Sequence, residues 1–134
     1  MKYVVGYPPN IEEIKKHFTL NPDVVFTYGE TVYVPNGQIL PDHLEAHEGT
    51  HVKQQAAVGG PEKWWARYFK DVKFRLEQEL AAYIEQYKVI SASYTRREKQ
   101  NLLKHITTAL SSALYGEIIK RKEAEQLLLQ AVDN

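Results

Sequence analysis

Hydrophobic positions change their period near residue 40. Before that point they come in short β-branched and aromatic runs: KYVVGY, halted by Pro8-Pro9, and VVFTYGETVYV, whose two halves flank Gly29-Glu30. Such runs predict a strand followed by a hairpin, which Asn36-Gly37 ends. Between them Asn10 stands in a capping position, and Ile11, Ile14 and Phe18 share one face of IEEIKKHF, predicting a short helix.

Beyond Pro41 the apolar residues recur every three to four positions. Asp42 and Glu45 have the spacing of a capping box, so a helix is expected from His43 to about Val58, where Gly59-Gly60-Pro61 stops it. EKWWARYF predicts a second helix ending at Asp71, which can cap a third running to about Ile90. Two more are expected over about 95 to 114 and 117 to 132, parted near Gly116. The chain reads as α+β, a small N-terminal antiparallel sheet followed by a mainly helical part. Without repeats or linkers, residues 1–134 are expected to form one domain.

The helix after Pro41 carries an unusual stripe. Steps of three and four from Leu44 reach His47, Glu48, His51, Val52 and Gln55, positions that an amphipathic helix fills with Leu and Val. Burying ionisable groups is costly unless they are paired or bound to metal. Residues i and i+4 lie about 40° apart around a helix, so His47 and His51 project side by side and can grip one ion. Nitrogen ligands at about 2.0–2.1 Å suit zinc. Glu48, about 100° further round, reaches toward a water as general base. The rival reading is an exposed stripe, or histidines satisfied by ordinary hydrogen bonds.

Composition narrows the options. The chain has no cysteine, which excludes disulfides, thiolate catalysis and Cys-ligated zinc, so any metal must be held by His, Asp or Glu. Lys+Arg and Asp+Glu are equal at 17 each without long like-charge blocks, which argues against nucleic acid or an anionic membrane as partner. Apolar runs too short for a signal-peptide core or a membrane span predict a cytoplasmic protein.

A third ligand is sought downstream. Val72, Leu76, Glu79, Leu80, Tyr83 and Tyr87 recur at helical spacing, which turns Glu79 inward while Glu77 and Glu85 point away. The alternative for Glu79 is a carboxylate paired with a core Arg or Lys. The longer metzincin pattern is absent: Ala57 stands where its third histidine belongs, and none follows until His105.

Taken together, HEGTHVKQQ, WWARYFKDVKFRLEQELAAY and SSALYGEIIKRKEAEQLL resemble the small single-domain zinc metallopeptidases of gluzincin type found in phage and prophage sequences. The likeness spans about residues 28 to 130. It implies a minimal zincin fold with the strands beside the active-site helix. It also implies His47, His51 and the Glu79 of E-x-x-A-Tyr as zinc ligands, with Glu48 as base. The expected function is zinc-dependent hydrolysis of a protein or peptide substrate. The alternatives are a zinc-stabilised interaction module without turnover and a helical interaction protein with a chance motif.

Such hydrolysis needs a donor to the oxyanion. Tyr83, one turn after Glu79, is the nearest candidate, followed by His43, Tyr87 and His105; its other reading is a core or orienting residue. TVYV is a candidate edge strand for an extended peptide. Trp64 and Trp65 read as core with one of them nearer solvent, and His17 as ordinary. Gly49 costs a helix about 1 kcal/mol relative to Ala, which suggests close packing against its backbone.

Overall fold

The computed structural model describes residues 1–92, 94–111 and 120–133. Its elements are β1 (Lys2–Val4), α1 (Ile11–His17), β2 (Phe26–Tyr28), β3 (Thr31–Tyr33), α2 (Asp42–Ala57), α3 (Pro61–Lys70), α4 (Val72–Ser91), α5 (Arg96–Leu110) and α6 (Arg121–Asp133). The architecture is α+β, as the change of period predicts. The break expected near Gly116 lies outside the described residues. Among these, no helix is long and apolar enough to cross a membrane.

The sheet is mixed rather than wholly antiparallel. β2 and β3 form the expected hairpin, with Gly29 in the left-handed region at φ 66°. β1 pairs in parallel with β3, giving the order β1-β3-β2. α1 returns the chain so that β1 meets the far strand of the hairpin. TVYV is therefore central and hydrogen-bonded on both sides, so it cannot serve as an edge for a peptide. The outer edge of β2 is closed by side chains. Thr27 O accepts from Gln55 Nε2 at 2.8 Å and from Trp65 Nε1 at 3.1 Å, while Gly29 N donates to Gln55 Oε1 at 2.6 Å. The Gln55 amide thus pairs with β2 as a neighbouring strand would.

The helix starts differ in how they are capped. α2 begins at Asp42 with Pro41 as its N-cap and no side-chain cap, so the Asp42/Glu45 box does not form. Asn10 precedes α1, yet both of its amide atoms are buried without a partner. Asp71 does cap α4, accepting from Phe74 N at 3.0 Å. Thr95 and Glu98 form a full capping box at α5 that the period of the chain did not reveal.

One apolar core joins both halves of the chain, running from Ile14, Phe18 and Phe26 through Trp64, Tyr68 and Phe74 to Ile106 and Leu128. Both tryptophans are buried, at 2% and 8% exposure, instead of one facing solvent. α3 is wedged between β2 and α4: Trp65 Nε1 reaches Thr27, and Trp64 Nε1 donates to Gln78 Oε1 at 2.8 Å. A smaller cluster of Val32, Val34 and Leu40 seats the sheet on α2 near Leu44. α2 and α4 make the most extensive helix pair in the fold, and their interface holds the candidate site.

Candidate metal centre

α2 buries the stripe that the sequence marks. His47, Glu48 and His51 are each 6% exposed and Gln55 is fully buried, while Leu44 and Val52 are half-buried at its margins. On α4 the inward face runs through Arg75, Glu79, Ala82, Tyr83, Gln86 and Ile90. Glu79 is central to it at 3% exposure; Val72, expected on this face, is 50% exposed. Glu77 and Glu85 are exposed, as their rotation around the helix requires.

The two faces bring four ionisable groups together. His47 Nε2 and His51 Nε2 are 3.2 Å apart. Glu79 Oε1 lies 2.6 Å from His51 Nε2 and 3.9 Å from His47 Nε2. Glu48 Oε2 is 3.9 Å from His47 Nε2, and its other oxygen accepts from Thr27 Oγ1 at 3.3 Å. His47, Glu48 and His51 each offer a ligand atom within 4.8 Å of the others, so these three are close enough to hold a metal ion.

Ligand spacing provides a test of fit. Two atoms at about 2.0–2.1 Å from a tetrahedral ion stand about 3.3 Å apart. The histidine nitrogens meet that separation at 3.2 Å, and the Glu79 distances of 2.6 and 3.9 Å bracket it. Burial adds a second constraint: a carboxylate withdrawn from water is costly unless it is paired or bound to metal, and a hydrogen held between His51 and Glu79 supplies such a pairing.

Proton affinities follow from this crowding. Burial, aided by neighbouring His51, depresses His47 to about 3. Burial raises Glu48 to about 7, with His51 opposing and Glu79 adding to the rise. For His51 burial acts downward, but the Glu79 carboxylate more than offsets it and lifts the imidazole to about 9. His43, on the same face of α2 one turn earlier, is lowered by burial and by His105.

Neighbouring side chains hold the imidazoles in place. His51 Nδ1 is 2.8 Å from Gln54 Oε1, and Gln54 Nε2 donates to Gln78 O at 3.0 Å. Tyr83, 7% exposed, packs edge-on against the His47 ring at 4.5 Å between centroids. Trp64 lies 5.3 Å from the His51 ring and stacks on Tyr68 at 4.8 Å. Tyr68, buried on the inner face of α3, hydrogen-bonds Glu79; burial and that carboxylate push its phenol well above 10. Its place one turn after Trp64 on the inner face of α3 was the available signal. Thr27 and Gln86 carried none.

The four groups border a cavity of about 420 Å³ between the N-terminal segment and the helices. Phe18, Val24, Phe26, Trp65 and Tyr68 give it an apolar wall, and Tyr83 and His105 also line it. Tyr87 and His17 lie elsewhere. His17, read as ordinary, is 3.3 Å from Glu13 and stacks on Phe69 at 4.4 Å. Set against family models, curated proteins and solved structures, the chain matches none of them. Its chemistry is therefore read from these side chains alone.

Proposed function

We propose that the chain is a zinc-dependent peptidase of gluzincin type, in which His47, His51 and Glu79 hold the ion and Glu48 is the general base. One observation carries this reading. The buried Glu48 carboxylate stands beside the histidine pair at the margin of an open cavity, where a base has a task. Two imidazoles and a carboxylate are a donor set suited to zinc, and the chain offers no thiolate to compete. A purely structural zinc is usually closed by four protein ligands, whereas three ligands facing a cavity leave a position for chemistry.

Held by His47, His51 and Glu79, a divalent ion would supply Lewis acidity, polarising a carbonyl and lowering the pKa of a water to about 7. Glu48, held on the sheet side by Thr27, takes a proton from the attacking water and passes it to the leaving amine. Its raised proton affinity comes first from burial, and a cation beside it would draw the value down toward the ionised form that a base needs. The apolar cavity wall excludes water and receives a side chain of a protein or peptide substrate. Tyr83 and His105 line that cavity, and Tyr68 stands beside Glu79, which makes these three the candidate donors to a developing oxyanion.

Replacing Glu48 by Gln keeps the shape of the site and removes the base. Glu48→Gln should bind zinc stoichiometrically and lose about 10²–10⁴-fold in the rate of cleavage of a peptide library. Undiminished hydrolysis by this variant would overturn the assignment. Stoichiometric zinc without cleavage by the wild type would instead leave a metal-stabilised interaction module.

A further inference from the structure

The hydrogens of the two imidazoles can be assigned from their partners. A carboxylate that is ionised only accepts, so His51 Nε2, 2.6 Å from Glu79 Oε1, carries a hydrogen. His47 Nε2 faces the same nitrogen at 3.2 Å. Two N–H groups cannot point at each other, so the hydrogen of His47 belongs on Nδ1. That Nδ1 is buried without a hydrogen bond of good geometry, and so is Oε1 of Gln86, which is 2% exposed. At its other end Gln86 Nε2 donates to His43 Nδ1 at 2.9 Å, which leaves Oε1 as the end available to His47. The Gln86 amide acts on His47 as a hydrogen-bonding neighbour.

We propose, given the reading of this site as a metal centre, that Gln86 is a positioning residue which fixes the tautomer of His47, and that His43 orients Gln86. The Gln86 carbonyl takes the Nδ1 hydrogen, so Nε2 is presented bare to the ion. A reversed amide would offer N–H groups to Nδ1, move the hydrogen to Nε2 and block the ligand atom. Gln54 Oε1, 2.8 Å from His51 Nδ1 on the same helix, holds the second imidazole in place. Outer partners of this kind commonly govern metal affinity. Here one of them comes from α4, so the packing of α4 on α2 sets the tautomer of a ligand borne by α2.

Imidazole nitrogen NMR shifts of the chelator-treated wild type test the assignment without any variant. The expected result is a protonated Nδ1 and a bare Nε2 on His47; the opposite tautomer overturns the proposal. Zinc affinity by chelator competition tests the consequence. Gln86→Leu should bind zinc about 10- to 100-fold more weakly, and Gln86→Glu, which keeps the acceptor, should recover most of that loss. Equal affinity in wild type and Gln86→Leu would overturn it. If Gln86→Leu does not fold, His43→Phe carries the comparison, with a smaller loss expected and an unchanged affinity counting against the relay. A wild-type chain that binds no zinc would refute the metal centre, while the NMR tautomer would still decide the role of Gln86.

Discussion

His51 and Glu48 hold protons more tightly in the fold than in water, and His47 less tightly, so the stability of the zinc-free protein depends on pH in a defined sense. His51 rises from 6.5 to about 9, a contribution complete below 6.5 and lost as pH climbs through 9. Glu48 rises from 4.5 to about 7, so its contribution also fades on the alkaline side. His47 falls from 6.5 to about 3: it is neutral in both states above 6.5, and stability is lost as acid forces a charge into the interior. The unfolding midpoint of chelated protein should therefore decline between pH 6.5 and 9. Zinc-loaded protein should not, because the ion takes the deprotonated imidazole. A chelated midpoint that climbs steadily over that range would contradict the His51–Glu79 pairing. His47, Glu48 and His51 were legible as residues because i, i+4 geometry is a property of one helix. Tyr68 and Gln86 were not, since their meaning lies in partners on other elements.

Between elements, the contact of α2 with α4 decides what the site is. The α4 stripe drawn from Val72 to Tyr87 is rotated relative to the face that is buried, because Arg75, Gln86 and Glu79 occupy the inner side and Val72 is exposed. Apolar periodicity turns Glu79 and Tyr83 inward but misses Arg75 and Gln86, since these buried residues are polar. Gly49 gives a second correction. A methyl group there would meet only Met1, at 3.7 Å from Sδ and 3.9 Å from Cε, so no close backbone approach requires glycine. Gly49→Ala should stabilise α2 by up to about 1 kcal/mol and raise the thermal midpoint by about 3–6 °C. Circular dichroism melts would show this; a lower midpoint would mean that the Met1 contact is tighter than it looks.

At the scale of the whole molecule, the site is a seam. It draws its ionisable side chains from α2 and α4, Glu48 is tied to β2 through Thr27, and β2 is clipped to α2 and α3 by Gln55 and Trp65. Zinc at a hundredfold excess over its dissociation constant adds about 2.7 kcal/mol to a fold that binds it. Chelation should accordingly lower the midpoint by about 10 °C and speed amide exchange in α2 and α4 more than in α5. A midpoint indifferent to chelator would remove the ion from the account of stability.

By itself the sequence determined the α+β order, the burial of a titratable stripe, the pairing of His47 with His51 and the inward turn of Glu79. Each depends on backbone periods within a single element. Only the tertiary structure decided that TVYV is central, that both tryptophans are covered, that Tyr68 meets Glu79 and that Gln86 stands between His43 and His47. Those contacts join residues of separate elements, and they depend on how far α4 is rotated against α2 and on which strand β1 meets.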